Sequence, residues 1–329
     1  MSAALTKSIG SLEKRKYQQA NENIAMNVQL ASSHRFLFYL INRALYAGVV
    51  SLISARVHAQ NLFVSDYGSD NIYEFTAVGS QSTFASGLQG PQGLAFDSAG
   101  DLFVANQLSG NITEFTAGGT QITIASGLNA PDGLAFNSAR DLFVANSGDN
   151  NIIEITPGGV QSTFASGIYD PTGLAFNGTG NLFVASYGNS IYEITTGGTQ
   201  SIFASPSYVD GPIGLAFSSG GNLFEADLGS GNINEFTPEG ARNTFASGLN
   251  YPTGLAFNSS GNLFEADSRN GNIYEFAPNG TRSTFASGLG VPNGLAFQPT
   301  PEPSPLWLTL LGSGILFYFR QLYKKHRLV

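Results

Sequence analysis

Three sets of residues in this 329-residue chain carry groups able to do chemistry at spacings that could bring them together. The first is the middle position of a Pro-x-Gly triplet that returns six times, reading Gln92, Asp132, Thr172, Ile213, Thr253 and Asn293. If these positions share one rim, Asn293, Gln92 and Asp132 form an arc of oxygen donors, and Asp132 with Asn293 would hold Ca2+ or another hard divalent cation. One carboxylate with two amides makes such a site weak, so no cofactor is required, and a solvated polar rim is the plainer expectation.

The second set is Glu225 and Glu265, which stand where corresponding segments have Val64, Val104, Val144 and Val184. Paired carboxylates do acid and base work. A carboxylate in an apolar strand is costly unless it is paired, protonated or able to reach a rim, a water or a neighbouring segment. Arg242 and Arg282 fall in the same two units, but about three residues lower, or roughly 10 Å along a strand, too far for direct pairing. The third set is aromatic: Tyr169 with Asp170, Tyr208 with Asp210, and Tyr251, each just before a Pro-x-Gly triplet. Exposed tyrosines beside carboxylates offer a sugar an apolar face and acceptors for its hydroxyls. Tyrosines that simply pack their loops are the competing expectation. No catalytic residue is assigned.

What is missing narrows the chemistry further. Residues 61–300 carry twenty Asp or Glu against four Arg (Arg140, Arg242, Arg269, Arg282) and no Lys, while both ends of the chain are basic. Such an acidic segment repels phosphate backbones, which argues against a nucleic-acid partner. All three His (His34, His58, His326) lie outside it and the chain has no Cys, so it offers no imidazole base, thiol nucleophile, Schiff-base lysine or usual zinc ligand. Without disulfides, the segment must be stabilised by its core.

The elements that position these groups follow from a repeat of about forty residues, opening at Asn61, Asp101, Asp141, Asn181, Asn222 and Asn262. Each unit holds four short runs rich in aromatic and β-branched residues, such as GLAF (93–96), DLFVAN (101–106), NITEFT (111–116) and QITIAS (121–126), parted by Gly, Pro and Asp turns. Six units of four antiparallel strands predict an all-β, six-bladed propeller over 60–300. The first unit opens on its second strand and the last ends on a lone first strand, 294–297. The ring should therefore close by that strand joining strands 61–66, 71–76 and 81–86, which removes two exposed edges. The Asp or Asn ending the second strand recurs in most units and reads as a loop cap; the Glu of the third strand recurs in all six and reads as scaffold.

LFVAN, NIxEFTPGG, TFASGL and PxGLAFNSxGN resemble NHL repeats and the related gluconolactonase-like propellers, over 61–298. The resemblance implies the same six-bladed fold. In the enzymes of that group an Asp, an Asn and a Glu hold a divalent metal; Asp132 and Asn293 match locally, but no Glu occupies the ring.

The ends are read separately. Residues 1–59 resemble a secretory leader, with an apolar stretch before Val57-His58-Ala59. Residues 301–329 place Pro301, Glu302 and Pro303 ahead of an apolar run from Leu306 to Phe319, then Arg320 and a basic tail. That order resembles the PEP-CTERM sorting signal, which implies an exosortase-type protease as partner. It also implies passage through a membrane-anchored intermediate to the cell surface or extracellular matrix of a Gram-negative bacterium. Apolar helical segments are expected at both ends. The combined expectation is an exported propeller binding carbohydrate or protein without catalysis. The alternatives are a metal-dependent lactonase or related hydrolase, and a purely structural matrix component.

Overall fold

A computed structural model describes residues 60–299 of the chain. The leader to Ala59, the segment bearing Pro301, Glu302, Pro303 and Arg320, and the helices expected at both ends lie outside the described residues. Within them, twenty-four strands form six antiparallel four-stranded sheets. The third blade is typical: Pro131–Phe136 lies innermost, then Leu142–Asn146, Asn151–Ile155 and, outermost, Gln161–Ser166. This is the propeller that the repeat predicts.

The second strand of every blade is buried at all five positions, because both of its faces meet protein. In the first blade Leu62 and Val64 pack on Phe264 and Ala266 of the sixth, whereas Phe63 packs toward Leu94 and Leu102 of the second. A run without polar alternation is what such a two-sided position demands. The Phe of this strand anchors each blade interface: Phe63 meets Phe84 and Phe96 edge-to-face, with ring centroids 5.0 Å apart in both pairs. Phe183 and Phe224 repeat the arrangement. Edge-to-face rings add about 0.5–1.5 kcal/mol per pair beyond burial, and only Phe103, with Phe136 as its one ring partner, makes a single pair.

Closure is by the shared blade. Pro292–Phe297 pairs with Leu62–Asp66 in the register Leu62↔Phe297, Phe63↔Ala296, Val64↔Leu295. The buried Asp66 carboxylate then accepts the backbone N–H groups of Gly68, Ser69, Gly290 and Val291, at 2.7–3.2 Å, so one side chain ties the first strand to the last. Ser65, in place of the alanine found here in the second to sixth blades, donates to the Gln92 carbonyl and accepts from the Gly294 N–H.

One expectation needs correcting. The Pro-x-Gly triplet is not a loop before the innermost strand; it is that strand's first half, Pro91–Phe96 in the second blade, with a bulge between Pro91 and Leu94. Proline is tolerated at the first residue of a strand. The glycine is required by crowding about the axis: a Cβ on Gly133 would lie 2.2 Å from the Thr172 carbonyl oxygen of the next blade, and the other five triplets show 2.0–2.3 Å.

The chain enters and leaves this ring on the face opposite the triplets. There the Gln298 N–H donates to the Asn61 carbonyl, and the Gln60 side chain bridges the Gln298 carbonyl and the Ser259 N–H.

Candidate functional site

The six middle residues of the triplets do not act as one ring. A narrow axial channel of about 70 Å³ is lined by Asp132, Ile213, Thr253 and Asn293, with the glycines and leucines of the innermost strands. Thr172 and Thr253 are buried, and their hydroxyls donate to backbone carbonyls: Thr172 to Pro212 of the next blade at 3.1 Å, Thr253 to Ala266 of its own at 3.1 Å. Both threonines thus tie strands together. Closure places Asn293 beside Gln92 as expected, and the Asn293 amide donates to the Gln92 side-chain oxygen.

Asp132 is the exception. The innermost strands enclose it, leaving a partial opening to solvent through the channel, and its carboxylate receives no hydrogen bond among the described residues. Burial raises its pKa to about 7, and the Asp170 carboxylate adds to the shift. Asp170 is itself raised by burial, against a lowering bond from Ser147. Its backbone is left-handed, φ 44°, and its N–H is fixed by the Asn150 side chain at 2.7 Å. The like charge of Asp170 thus reinforces the tendency of Asp132 to hold its proton.

The aromatic residues gather outward from this pair. Tyr169 adjoins Asp170 in sequence and is 64% exposed; Tyr208 is 50% exposed. Between them lies Tyr187, 47% exposed, which sequence reasoning passed over. Its N–H donates to the Asp170 carbonyl, and a Cβ on Gly211, in the loop that carries Tyr208 and Asp210, would sit 3.4 Å from its ring. A Cβ on the adjacent Gly188 would likewise sit 3.1 Å from the Tyr169 ring. The signal was present as the only tyrosine of SYGNSIY to follow a second strand in the unit that is one residue short. Tyr251 is different: it is partly buried at φ 61°, and the Arg269 guanidinium covers its ring at 3.5 Å.

The recurrent acids are structural. Asp227 caps through the N–H groups of Asp210 and Ser230, and Asn146 through that of Asn129. Third-strand Glu74, Glu193, Glu235 and Glu275 each accept from the Asn that opens their own unit. Where Asp101 replaces that Asn, Glu114 is raised by burial and then by Asp101 and Asp97. An Arg140–Asp97 ion pair of 3.4 Å sits beside them on the opposite face.

Glu225 and Glu265 are fully buried between blades and reach neither the channel nor a rim. Glu225 accepts from Asn234 at 2.8 Å, and Asn234 in turn accepts from Arg242 at 2.9 Å, so an amide spans the gap that the spacing implied between acid and arginine. Asn234 was also missed, although it is the only amide at a position otherwise filled by Tyr73, Thr113, Ile153, Tyr192 and Tyr274. Neither oxygen of Glu265 has a partner, and the Arg282 guanidinium lies 4.9 Å from the ring centre of Tyr274, its cross-strand neighbour. Burial, then Asp227, raises Glu225 to about 8; burial, then Asp267, raises Glu265 well above the carboxylate range. Glu225 is therefore a neutral acid near pH 7.

Solved structures share this architecture. The nidogen/laminin complex contains a chain that matches at 20% identity and TM-score 0.67, covering 73% of this chain and 98% of that one. A catalytically inactive virginiamycin B lyase from Staphylococcus aureus, solved with quinupristin, matches at 16% and 0.57, over 74% and 94%. A putative gluconolactonase matches at 15% and 0.58, over 67% and 88%. They share the fold. Since one belongs to a protein complex, one is a lyase and one a putative lactonase, the fold leaves binding and catalysis equally open. No protein-family model and no curated protein matches the sequence.

Proposed function

We propose that the triplet face is a carbohydrate-binding surface and that the protein acts as a non-catalytic binding module. The observation that carries this reading is the exposure of Tyr169, Tyr187 and Tyr208 in neighbouring loops of one face, with Asp170 and Asp210 beside them in sequence. Rigid tyrosines supply apolar area for a pyranose face, and carboxylates with free oxygens accept its hydroxyls. The lactonase alternative needs an oxygen cage for a divalent metal. Here the Asn293 amide is taken up by Gln92, the Thr253 hydroxyl by a carbonyl, and no group of three or more His, Cys, Asp or Glu side chains is close enough to hold a metal among the described residues. Asp132 and its neighbours do not fit that requirement.

The reading extends to the chain ends. Export, sorting by an exosortase-type protease and display at the surface or in the matrix of a Gram-negative bacterium fit a propeller whose ends leave together on the far face. A tether there keeps the triplet face free.

Screening the chain on a glycan array, with Tyr169→Ala and Tyr187→Ala alongside, tests the proposal. Specific glycans that the variants no longer hold are expected. An array without binding, or variants that bind as well as the parent, would remove these tyrosines from the function.

A further inference from the structure

Resting on that reading, we infer that the triplet face carries a second sugar seat at Tyr67, and that the ligand is an unbranched, uncharged polysaccharide that crosses the channel mouth to occupy both seats. Tyrosine directly follows the second strand in two units only, as Tyr67 and Tyr187. Each ring lies against the residue before the Pro-x-Gly triplet of the next blade. That residue is Gly90 for Tyr67 and Gly211 for Tyr187, whereas in the other four units it is Ala130, Asp170, Tyr251 or Val291. A Cβ on Gly90 would stand 2.9 Å from the Tyr67 ring, and one on Gly211 3.4 Å from the Tyr187 ring. The glycines are also fixed alike: the Gly90 N–H donates to the Asp70 side chain at 2.9 Å and the Gly211 N–H to the Asn189 side chain at 2.8 Å. A tyrosine and the glycine that makes room for it thus recur together, and only together.

The two seats belong to the first and fourth blades, half a turn apart in a ring of six, and open on one face. Apolar area surrounds Tyr67 as it surrounds Tyr187. A Cβ on Gly68 would lie 3.0 Å from Val291, and one on Gly90 2.8 Å from Leu108; both of these side chains are exposed, and Tyr67 between them is half-buried. The exposed Ser69 and Gln89 adjoin this patch in sequence and offer bonds to hydroxyls. Like seats half a turn apart call for like groups on the ligand, and a chain of one repeated sugar presents them at regular intervals. Twenty acids against four arginines in residues 61–300 disfavour an anionic polymer. Selectivity then rests with the Tyr187 seat, where Tyr169, Tyr208 and their aspartates stand, and the Tyr67 seat adds avidity. A ligand that spans two joined sites gains about 10²–10⁴ in affinity without any new kind of contact.

The test is calorimetric titration of the full chain with β-linked glucose oligomers and N-acetylglucosamine oligomers, from the disaccharide to lengths that cross the face. Short members of the preferred series are expected to bind two per chain, and long members one per chain, on the order of a hundredfold more tightly. Tyr67→Ala and Tyr187→Ala should each leave one short oligomer bound and abolish the gain with length. Gly90→Ala pushes the Tyr67 ring from its seat without truncating it, at a place where Ala130 shows that alanine is accommodated at φ 51°, and should act as Tyr67→Ala does. Affinity that does not rise with length, a rise that survives both Tyr67→Ala and Gly90→Ala, or no binding of either series would overturn the inference. Any of these results leaves the carbohydrate reading standing if glycans on the array are still lost with Tyr169→Ala and Tyr187→Ala. An array on which nothing binds would sink that reading itself.

Discussion

Replacing Glu225 by Gln should make the protein more stable at neutral and alkaline pH and flatten its loss of stability as pH rises. Glu225 is fully buried and held at a pKa of about 8, against an ordinary glutamate value of 4.5. Between those values the folded state keeps a proton that the unfolded state has released. Stability contributed by the neutral acid is therefore complete below about pH 4.5 and falls as pH rises, until both states are ionised above about 8. At about 1.4 kcal/mol per pH unit the whole interval is worth roughly 5 kcal/mol, most of it between pH 5 and pH 8. For a domain of this size that corresponds to a shift on the order of 10 °C in Tm. Gln keeps the bond from Asn234 through its carbonyl oxygen and has no proton to lose. Thermal melts of parent and variant should be followed by circular dichroism from pH 5 to pH 9. Because other groups titrate in both proteins, the difference between the two curves isolates Glu225. Parallel curves, or a variant less stable than its parent at pH 8, would refute the assignment of a buried neutral acid.

Two further perturbations test the scaffold. Gly133→Ala puts a methyl group 2.2 Å from the Thr172 carbonyl oxygen, a backbone atom with no freedom to retreat, so the third and fourth blades must part. The variant should lose the cooperative melt of the parent, and a Tm within a few degrees of it would show that the axis is looser than described. Asp66→Ala strands four N–H groups, two of them in the turn leading to the closing strand, at a cost of at least about 3 kcal/mol. Hydrogen exchange should then rise first at 290–297 and 62–66; uniform acceleration around the ring would deny Asp66 a special part in closure.

How far the sequence was legible depended on whether a feature repeats. Phase alone placed 294–297 beside 61–66, because a unit that begins on its second strand must borrow its first. The same repetition identified the caps at Asp66 and Asp227 and the third-strand glutamates as scaffold. What could not be read was the radial dimension. Nothing in Pro-x-Gly says that six strands converge on an axis, yet that convergence turns the triplet into strand, forbids a side chain on its glycine and directs the Thr172 and Thr253 hydroxyls into neighbouring backbone. Glu225 and Glu265 were visibly anomalous as substitutions for valine. That Glu225 stays inside as a neutral acid depends on Asn234 and on the packing of the blades, which spacing along the chain does not encode.

The departures from the repeat are better guides to a site than the repeat itself, and here they cluster. The fourth unit loses a residue after Ser186, and Tyr187 there stands against Gly211 as Tyr67 stands against Gly90 in the first unit. The same unit lengthens the loop before Pro212, in which Tyr208 and Asp210 are exposed. Asp132 and Asp170 border that unit on one side, and no other triplet carries an Asp. By contrast, the opposite face keeps near-identical turns in which an Asn or Asp accepts N–H groups two and four residues ahead, as Asn177 and Asn258 do. Groups satisfied by their own turns have little left to offer a ligand. Unpartnered carboxylates and uncovered tyrosines are concentrated on one side of one face, beside the one irregular unit, and a selective ligand has its contacts there.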